Sequence, residues 1–247
     1  MKLVVNNLKN TEPHIKCCDG LKEILTLPSC SIDLVLTDLP YLISRETHFN
    51  TGGCYNSEIK GSRRKVPVTD FGDWDKTKYD YEGMINQFYR LLKPHGSLIM
   101  FYDIWKMQSL KEMCENANFK QMRLCKWEKT NPVPINSKVN YLTNSTEYFI
   151  TCVKKGKPTF NSQYDRGVYS YPILHGKERT VHPTQKPLSL ISDIVLKHSN
   201  VGDTVLDPFM GTGTTGVACL HNNRKFIGFE IQEDYFKISQ NRIRGKL

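Results

Sequence analysis

Thr204 to Leu206 reads as a short apolar strand that passes through Asp207 into Pro208-Phe209-Met210-Gly211-Thr212-Gly213 and on into a helix opening near Thr214. This strand, turn and helix constrain the fold more than any other stretch. A strand that turns at once into a helix belongs to a sheet whose strands run mainly parallel, with helices on both sides. The remaining chain keeps the alternation. Strands are expected at Ile15 to Cys18, Ile32 to Leu36, Ser97 to Tyr102 and Lys225 to Phe229. Helices are expected at Leu21 to Leu27, Tyr81 to Leu92, Lys106 to Asn116 and Asp234 to Arg244. The apolar run from Ile32, ending at Asp38, has the character of a parallel strand covered on both faces. Pro187 suits the first turn of a further helix, with Leu188, Ile191 and Val195 on its buried face. Gln121 to Lys129 and Thr146 to Val153 predict an antiparallel hairpin at one edge of the sheet. No repeat or domain break interrupts the pattern, so residues 1–247 predict a single α/β domain.

The chain carries 34 Lys and Arg against 25 Asp and Glu, a formal charge of +9 that favours an anionic partner, nucleic acid first. Hydrophobic residues at 39% exclude a disordered chain. The eight cysteines show no metal-binding spacing, since adjacent Cys17 and Cys18 point to opposite faces of a strand. Reduced, mostly buried thiols are expected instead. The amino terminus lacks the apolar core of a signal peptide, and no run has membrane-spanning length. These features predict a soluble cytoplasmic protein with no metal and no membrane partner.

At the glycine turn, Gly211 and Gly213 let the backbone approach a ligand closely, and amides at the helix start suit a carboxylate. Glu230, ending the next strand, suits the two hydroxyls of a ribose. Gly211-Thr212-Gly213-Thr214-Thr215-Gly216 also satisfies the dinucleotide pattern G-x-G-x-x-G. However, Asp207-Pro208-Phe209-Met210 separates strand from glycines, and a carboxylate there would repel a pyrophosphate. A ligand with a cationic amino group and a sulfonium, such as S-adenosylmethionine, fits better.

Upstream, Asp38-Leu39-Pro40-Tyr41 offers what a flat exocyclic amine requires. The amine of adenine or cytosine is a poor nucleophile because its lone pair is delocalised into the ring. Accepting its hydrogen bonds draws the nitrogen toward tetrahedral geometry. Asp38 can accept one and the Leu39 carbonyl the other, while Tyr41 can stack on the base, worth ~1–3 kcal/mol. No strong base is needed, because the proton leaves after the methyl group arrives. Orientation and electrostatics carry the reaction.

In this order the motifs resemble the β-class of DNA amino-methyltransferases, over nearly the whole chain. Asp38 to Tyr41 is similar to the family's Asp-Pro-Pro-Tyr tetrad, Leu91-Leu92-Lys93-Pro94-His95-Gly96-Ser97 to its Leu-Lys-Pro-Gly-Gly turn, and Trp127-Glu128-Lys129-Thr130-Asn131-Pro132 to its Trp-x-Lys-x-Asn-Pro segment. His182-Pro183-Thr184-Gln185-Lys186-Pro187 resembles the cofactor-binding segment before the glycine loop. The resemblance implies a Rossmann-like S-adenosylmethionine-dependent methyltransferase fold, circularly permuted, with the antiparallel hairpin at the edge of a mostly parallel sheet. Its catalytic half covers about 1–153, a short polar target-recognition segment about 154–181, and its cofactor half about 182–247. Thr184 and Lys186 would lie near the methionine moiety, Glu230 on the ribose and Asp19 near the donor adenine. Asp38, Asp207, Pro208, Phe209, Gly211, Thr212, Gly213 and Thr214 complete the implied cofactor site. Lys186 also reads as a surface lysine, and Asp19 as a simple helix cap.

Leu39 departs from the family, which usually has proline there; the carbonyl survives, so a slightly looser tetrad is expected. Aspartate at the first position resembles the adenine-N6 enzymes, whereas β-class cytosine-N4 enzymes usually have serine. No Pro-Cys pair supplies a thiolate for carbon-5 methylation. The resemblance implies DNA as substrate, a homodimer and a cognate restriction endonuclease. Because the target base must flip out of a duplex or be single-stranded, a phosphate grip is expected at Lys60, Arg63, Arg64 and Lys65. A second candidate grip is Lys154 to Lys157, with Tyr164, Arg166, Tyr169, Lys177 and Arg179 beyond it. The short polar segment predicts a short target site or relaxed specificity. A cytosine-N4 enzyme, an RNA substrate and a non-catalytic nucleic-acid-binding subunit remain as rivals.

Overall fold

The computed structural model describes residues 12–40, 80–132, 142–174, 176–180, 182 and 184–245, with Lys177 as backbone only. The chain separates into two units, Met1–Leu39 with Tyr81–Leu247, and Pro40–Asp80. Of the second unit only Pro40 and Asp80 are described.

The first unit alternates strand and helix as its apolar patterning predicts. In its first half, β1 (His14–Cys17), a one-turn helix α1 (Gly20–Glu23) and β2 (Ile32–Asp38) lead to α2 (Tyr81–Leu91), β3 (Leu92–Tyr102) and α3 (Met107–Asn116). Then come β4 (Lys120–Lys129), β5 (Thr146–Val153) and β6 (Val168–Tyr171). The last part holds α4 (Leu188–His198), β7 (Thr204–Asp207), α5 (Thr214–His221), β8 (Lys225–Glu230) and α6 (Glu233–Ile243). Among the described residues these strands form one sheet in the order β1-β8-β7-β2-β3-β5-β4-β6. Only β5 runs against its neighbours, pairing antiparallel with β3 and with β4.

The expected hairpin of β4 and β5 is present, and β6 adds one strand outside it, parallel to β4. The expected helix to Leu92 ends at Leu91, and the Pro94 to Gly96 stretch lies within β3. There the ladder passes from Ile32 opposite Leu92 to Leu34 opposite Ser97, a bulge that absorbs the extra residues.

Both faces of the sheet are apolar because successive side chains point to opposite sides. One face of β2, with Val35, packs with Leu98 and Met100 under Ile85 and Phe88 of α2 and Leu110 of α3. The other, with Leu34 and Leu36, packs with Ile99 and Phe101 under Ile191 and Val195 of α4 and Val217 of α5. Asp33 fastens the amino ends of three strands, accepting the Thr204 amide at 2.9 Å and Lys93 Nζ at 2.8 Å. Of the described cysteines, Cys114, Cys125, Cys152 and Cys219 are buried free thiols, while Cys17 and Cys30 are exposed. Among the described residues no helix is long and apolar enough to cross a membrane.

His198 on α4 sits against the Phe160 ring, centroids 5.1 Å apart, with its Nε2 buried and unpartnered. Burial holds its pKa down at about 4. An unfolded histidine titrates near 6.5, so between pH 6.5 and about 4 the unfolded chain takes up a proton that the folded chain refuses. Stability present above that window is lost as pH falls through it. His182, lowered to about 4 by burial and then by Lys186, has the same sign. Asp207, raised to about 6 by burial, opposes them because its folded form gains the proton first. Urea unfolding is expected to give a lower free energy near pH 5 than near pH 7. The isosterically filled His198→Phe is expected to flatten the difference; an unchanged slope would reject this assignment.

Candidate active site

β2 leads on to β3 on one side, while its neighbour β7 leads to β8 on the other. A crevice opens at the carboxyl ends of two parallel strands whose connections diverge in this way. Asp38 and Asp207 end those two strands. The sheet order brings them together, 169 residues apart in numbering (207 minus 38) yet on adjacent strands. The residue before Asp38 makes the joint: Thr37 Oγ1 donates to Asp207 Oδ1 at 2.8 Å, buried.

Asp207 is satisfied on both oxygens, with the Phe209 amide also donating to Oδ1 at 3.2 Å and Thr215 Oγ1 to Oδ2 at 2.7 Å. It thus ties β2, the glycine loop and α5 into one piece. The next strand contributes similarly. Glu230, buried at the end of β8, accepts the Gly211 amide on Oε2 at 2.9 Å and the Gln232 amide on Oε1 at 2.8 Å. Burial raises its pKa despite these donors. Arg242 of α6, which the sequence reading did not single out, donates through Nη1 to the Thr212 carbonyl at 2.6 Å and to the hydroxyls of Thr212 and Thr214 at 3.1 Å. Gly213 caps α5 at φ 82°, and a Cβ there would lie 2.8 Å from that of Ser239. Only glycine meets both demands.

On the side toward β1, Asp19 caps α1, accepting the Leu21 amide at 3.0 Å and the Lys22 amide at 3.4 Å. Gly20 behind it abuts Pro208. The His182 ring lies against Tyr235 at 4.7 Å, and its Nδ1 accepts the Thr184 amide at 3.3 Å.

The Asp38 carboxylate is half engaged. Lys186 Nζ donates to Oδ2, whereas Oδ1 is buried and has no hydrogen-bond partner among the described residues. Burial raises the Asp38 pKa and Lys186 pulls it down without cancelling the rise. Lys186 is only 6% exposed, not a surface lysine. It lies 5.2 Å from the Phe101 ring centre and 3.1 Å from Oε2 of Glu147 on β5. Glu147 Oε1 in turn lies 2.8 Å from Lys129 Nζ, which stands 5.2 Å over the Trp127 ring. Burial pushes the Glu147 pKa up, but the two ammonium groups outweigh it and leave it lowered. Glu147 escaped the sequence reading. Its signal was there as the one acid in the strand Thr-Glu-Tyr-Phe-Ile-Thr-Cys-Val, where a charge needs a partner.

Leu39 buries its side chain in the core, and its amide donates to the Phe101 carbonyl at 3.2 Å. A proline has no N–H to give there. Tyr41, Lys60, Arg63, Arg64 and Lys65 lie outside the described residues, as does the Lys177 side chain. Tyr164 and Arg166 before β6 and Arg179 after it are exposed, whereas Tyr169 within β6 is buried in the core and not available to a nucleic acid. Lys154 reaches back to the Leu92 carbonyl at 2.7 Å, at the start of β3 and so at the sheet edge opposite Asp38.

The chain as a whole is similar to known proteins. The chain is 33% identical to the Type II methyltransferase M.HinfI of Haemophilus influenzae, over 99% of this chain and 71% of that protein. It is 30% identical to the Type II methyltransferase M2.LlaDCHI of Lactococcus lactis subsp. cremoris, over 91% and 87%. The crystal structure of the M1.HpyAVI–SAM complex superposes with a TM-score of 0.69 at 26% identity, covering 94% of this chain and 99% of that one. Residues 32–241, from the first residue of β2 into α6, match the N6/N4 methyltransferase model of DNA methylases, and the chain belongs to that family.

Proposed function

We propose that this protein methylates N6 of adenine in DNA, taking the base out of the helix and holding its amine on Asp38. As a member of its family the chain is a DNA methyltransferase that uses S-adenosylmethionine. The observation that carries the amine reading is Oδ1 of Asp38, a buried acceptor without a donor among the described residues; aspartate at the first tetrad position favours adenine over cytosine. Leaving such an atom unmade costs ~1–3 kcal/mol, and an N–H of the target amine offsets that cost at the moment of binding. The Leu39 carbonyl accepts the second N–H, and Tyr41 stacks on the base.

The donor lies across the crevice on Asp207, Pro208, Phe209, Gly211, Thr212, Gly213 and Thr214, with Glu230 toward the ribose, Asp19 toward the adenine and Thr184 toward the methionine. Lys186 stands between the two halves, on Asp38. Residues 1–247 work as one methyltransferase domain, as a homodimer and beside a cognate restriction endonuclease in the cytoplasm. The run Lys60, Arg63, Arg64 and Lys65 holds phosphate beside the flipped base. Neutralising it is expected to weaken binding to all DNA sequences alike and to flatten the dependence of affinity on salt; an unchanged salt slope would remove the run from the interface.

Nucleoside mass spectrometry of unmethylated DNA incubated with the protein and S-adenosylmethionine tests the reading. N6-methyladenine supports it. N4-methylcytosine keeps the mechanism and overturns the base. No methylated nucleoside, with the donor bound, overturns the DNA-adenine reading in favour of RNA or a silent subunit.

A further inference from the structure

The mechanism above uses one oxygen of Asp38, yet nothing in an aspartate side chain distinguishes its two oxygens. The structure does so through a row of alternating charges: Lys129 on β4, Glu147 on β5, Lys186 ahead of α4, and Asp38 on β2. Glu147 is the middle member. Each of its oxygens holds one ammonium group, Lys129 at 2.8 Å and Lys186 at 3.1 Å. The Phe101 and Trp127 rings, each 5.2 Å from one lysine, line the same row.

We propose that Glu147 is a positioning residue for methyl transfer: it draws the Lys186 ammonium toward β5, fixes it on Oδ2 of Asp38, and so reserves Oδ1 for the target amine. The proposal rests on the methyl-transfer reading and deepens it. A lysine without the second carboxylate gains by bridging both oxygens of Asp38, because a forked contact brings the charges closer. It would then compete with the substrate amine for the same atom. Glu147 also balances Lys186 electrically. Among the described residues the charged groups facing Asp38 are Lys186, which favours its anion, and Glu147 and Asp207, which disfavour it. Lys129 stands one step further, behind Glu147.

Two consequences have opposite signs. Removing the Glu147 charge makes the Asp38 anion easier to form, so the acid limb of the rate profile moves to lower pH. Removing the Lys186 charge makes it harder to form, and the limb moves to higher pH.

The test is the pH profile of kcat for methyl transfer, with the Kd for S-adenosylmethionine measured on the same preparations, for wild type, Glu147→Gln, Glu147→Asp, Lys186→Met and the double variant. Glu147→Gln is expected to lose ~10–100-fold in kcat, to keep its donor affinity and to shift its acid limb downward. Glu147→Asp is expected to bring the limb back toward the wild-type position. In the Lys186→Met background, where the limb lies at higher pH, Glu147→Gln is expected to have little further effect on kcat. Glu147→Asp, which keeps the charge between Lys129 and Lys186, carries the comparison if Glu147→Gln folds poorly. Wild-type kcat and limb in Glu147→Gln overturn the proposal. So does a variant that loses donor affinity alone, or equal losses in both backgrounds. A wild type that makes no methylated product overturns the methyl-transfer reading itself, and this proposal with it.

Discussion

Asp38→Ala is expected to abolish methyl transfer, lowering kcat by ~10³-fold or more, while leaving S-adenosylmethionine binding and the melting temperature near those of the wild type. The loss is large because the contact with Asp38 strengthens in the transition state, where the amine nitrogen pyramidalises and its hydrogens become better donors. The fold tolerates the change for a reason specific to this site. Lys186 keeps its contact with Glu147 when Asp38 is gone, so no ammonium group is stranded. The substitution also removes Oδ1, a buried atom that has no partner to lose. Mass-spectrometric counting of N6-methyladenine, with calorimetric donor binding and a thermal melt, reads all three quantities. Full activity in Asp38→Ala would exclude this carboxylate from the chemistry. Unfolding would instead show the row of charges to be a structural prop.

Gly20→Ala is the second large effect, and it acts through the donor site. A Cβ at Gly20 would lie 2.1 Å from the Pro208 carbonyl oxygen and 3.0 Å from its carbon. Neither side can yield easily. The chain before Gly20 is tied to β8 by the Cys18 amide on the Glu230 carbonyl at 2.9 Å, and Asp19 holds the helix behind it. On the other side, Thr37 and Thr215 pin Asp207, the residue before Pro208. One methyl group must therefore displace the loop that begins the donor site. Overpacking of this kind costs ~1–3 kcal/mol, occasionally more, which corresponds to roughly a 10–100-fold loss of S-adenosylmethionine affinity if it falls wholly on the bound state. Isothermal titration alongside a melt separates that loss from general destabilisation. Wild-type affinity and melting temperature together would contradict the contact.

Much of this was legible in the chain, for reasons that differ by residue. Thr146–Val153 has the bounds that its apolar pattern predicts, because burial on both sides of a strand leaves a direct imprint on sequence. β6 left none. It has four residues inside a polar segment, held by Trp127 Nε1 on the Tyr171 carbonyl at 2.9 Å and Tyr171 Oη on Asp193 at 3.0 Å, contacts between partners far apart in the chain. The same limit appears at the carboxylates. Motif reading finds Asp207 and Glu230 as positions, yet their bonds to Thr37, Thr215, Gly211 and Gln232 exist only once four elements have come together. Arg242 belongs to the same group, an ordinary surface-forming residue by type, whereas Glu147 left a trace as the one acid of its strand without revealing its partners.

The hydrogen bond from Thr37 to Asp207 has a further consequence for the order of events. It joins the carboxyl end of β2, which carries the proposed amine acceptor, to the last residue of β7, where the proposed donor loop begins, so a displacement at one end is a displacement at the other. Cooperativity between donor and target then needs no travelling signal and no domain movement. If the loop tightens on S-adenosylmethionine, Asp38 is carried with it, and the factor by which the donor raises affinity for the base is, by reciprocity, the factor by which the base raises affinity for the donor.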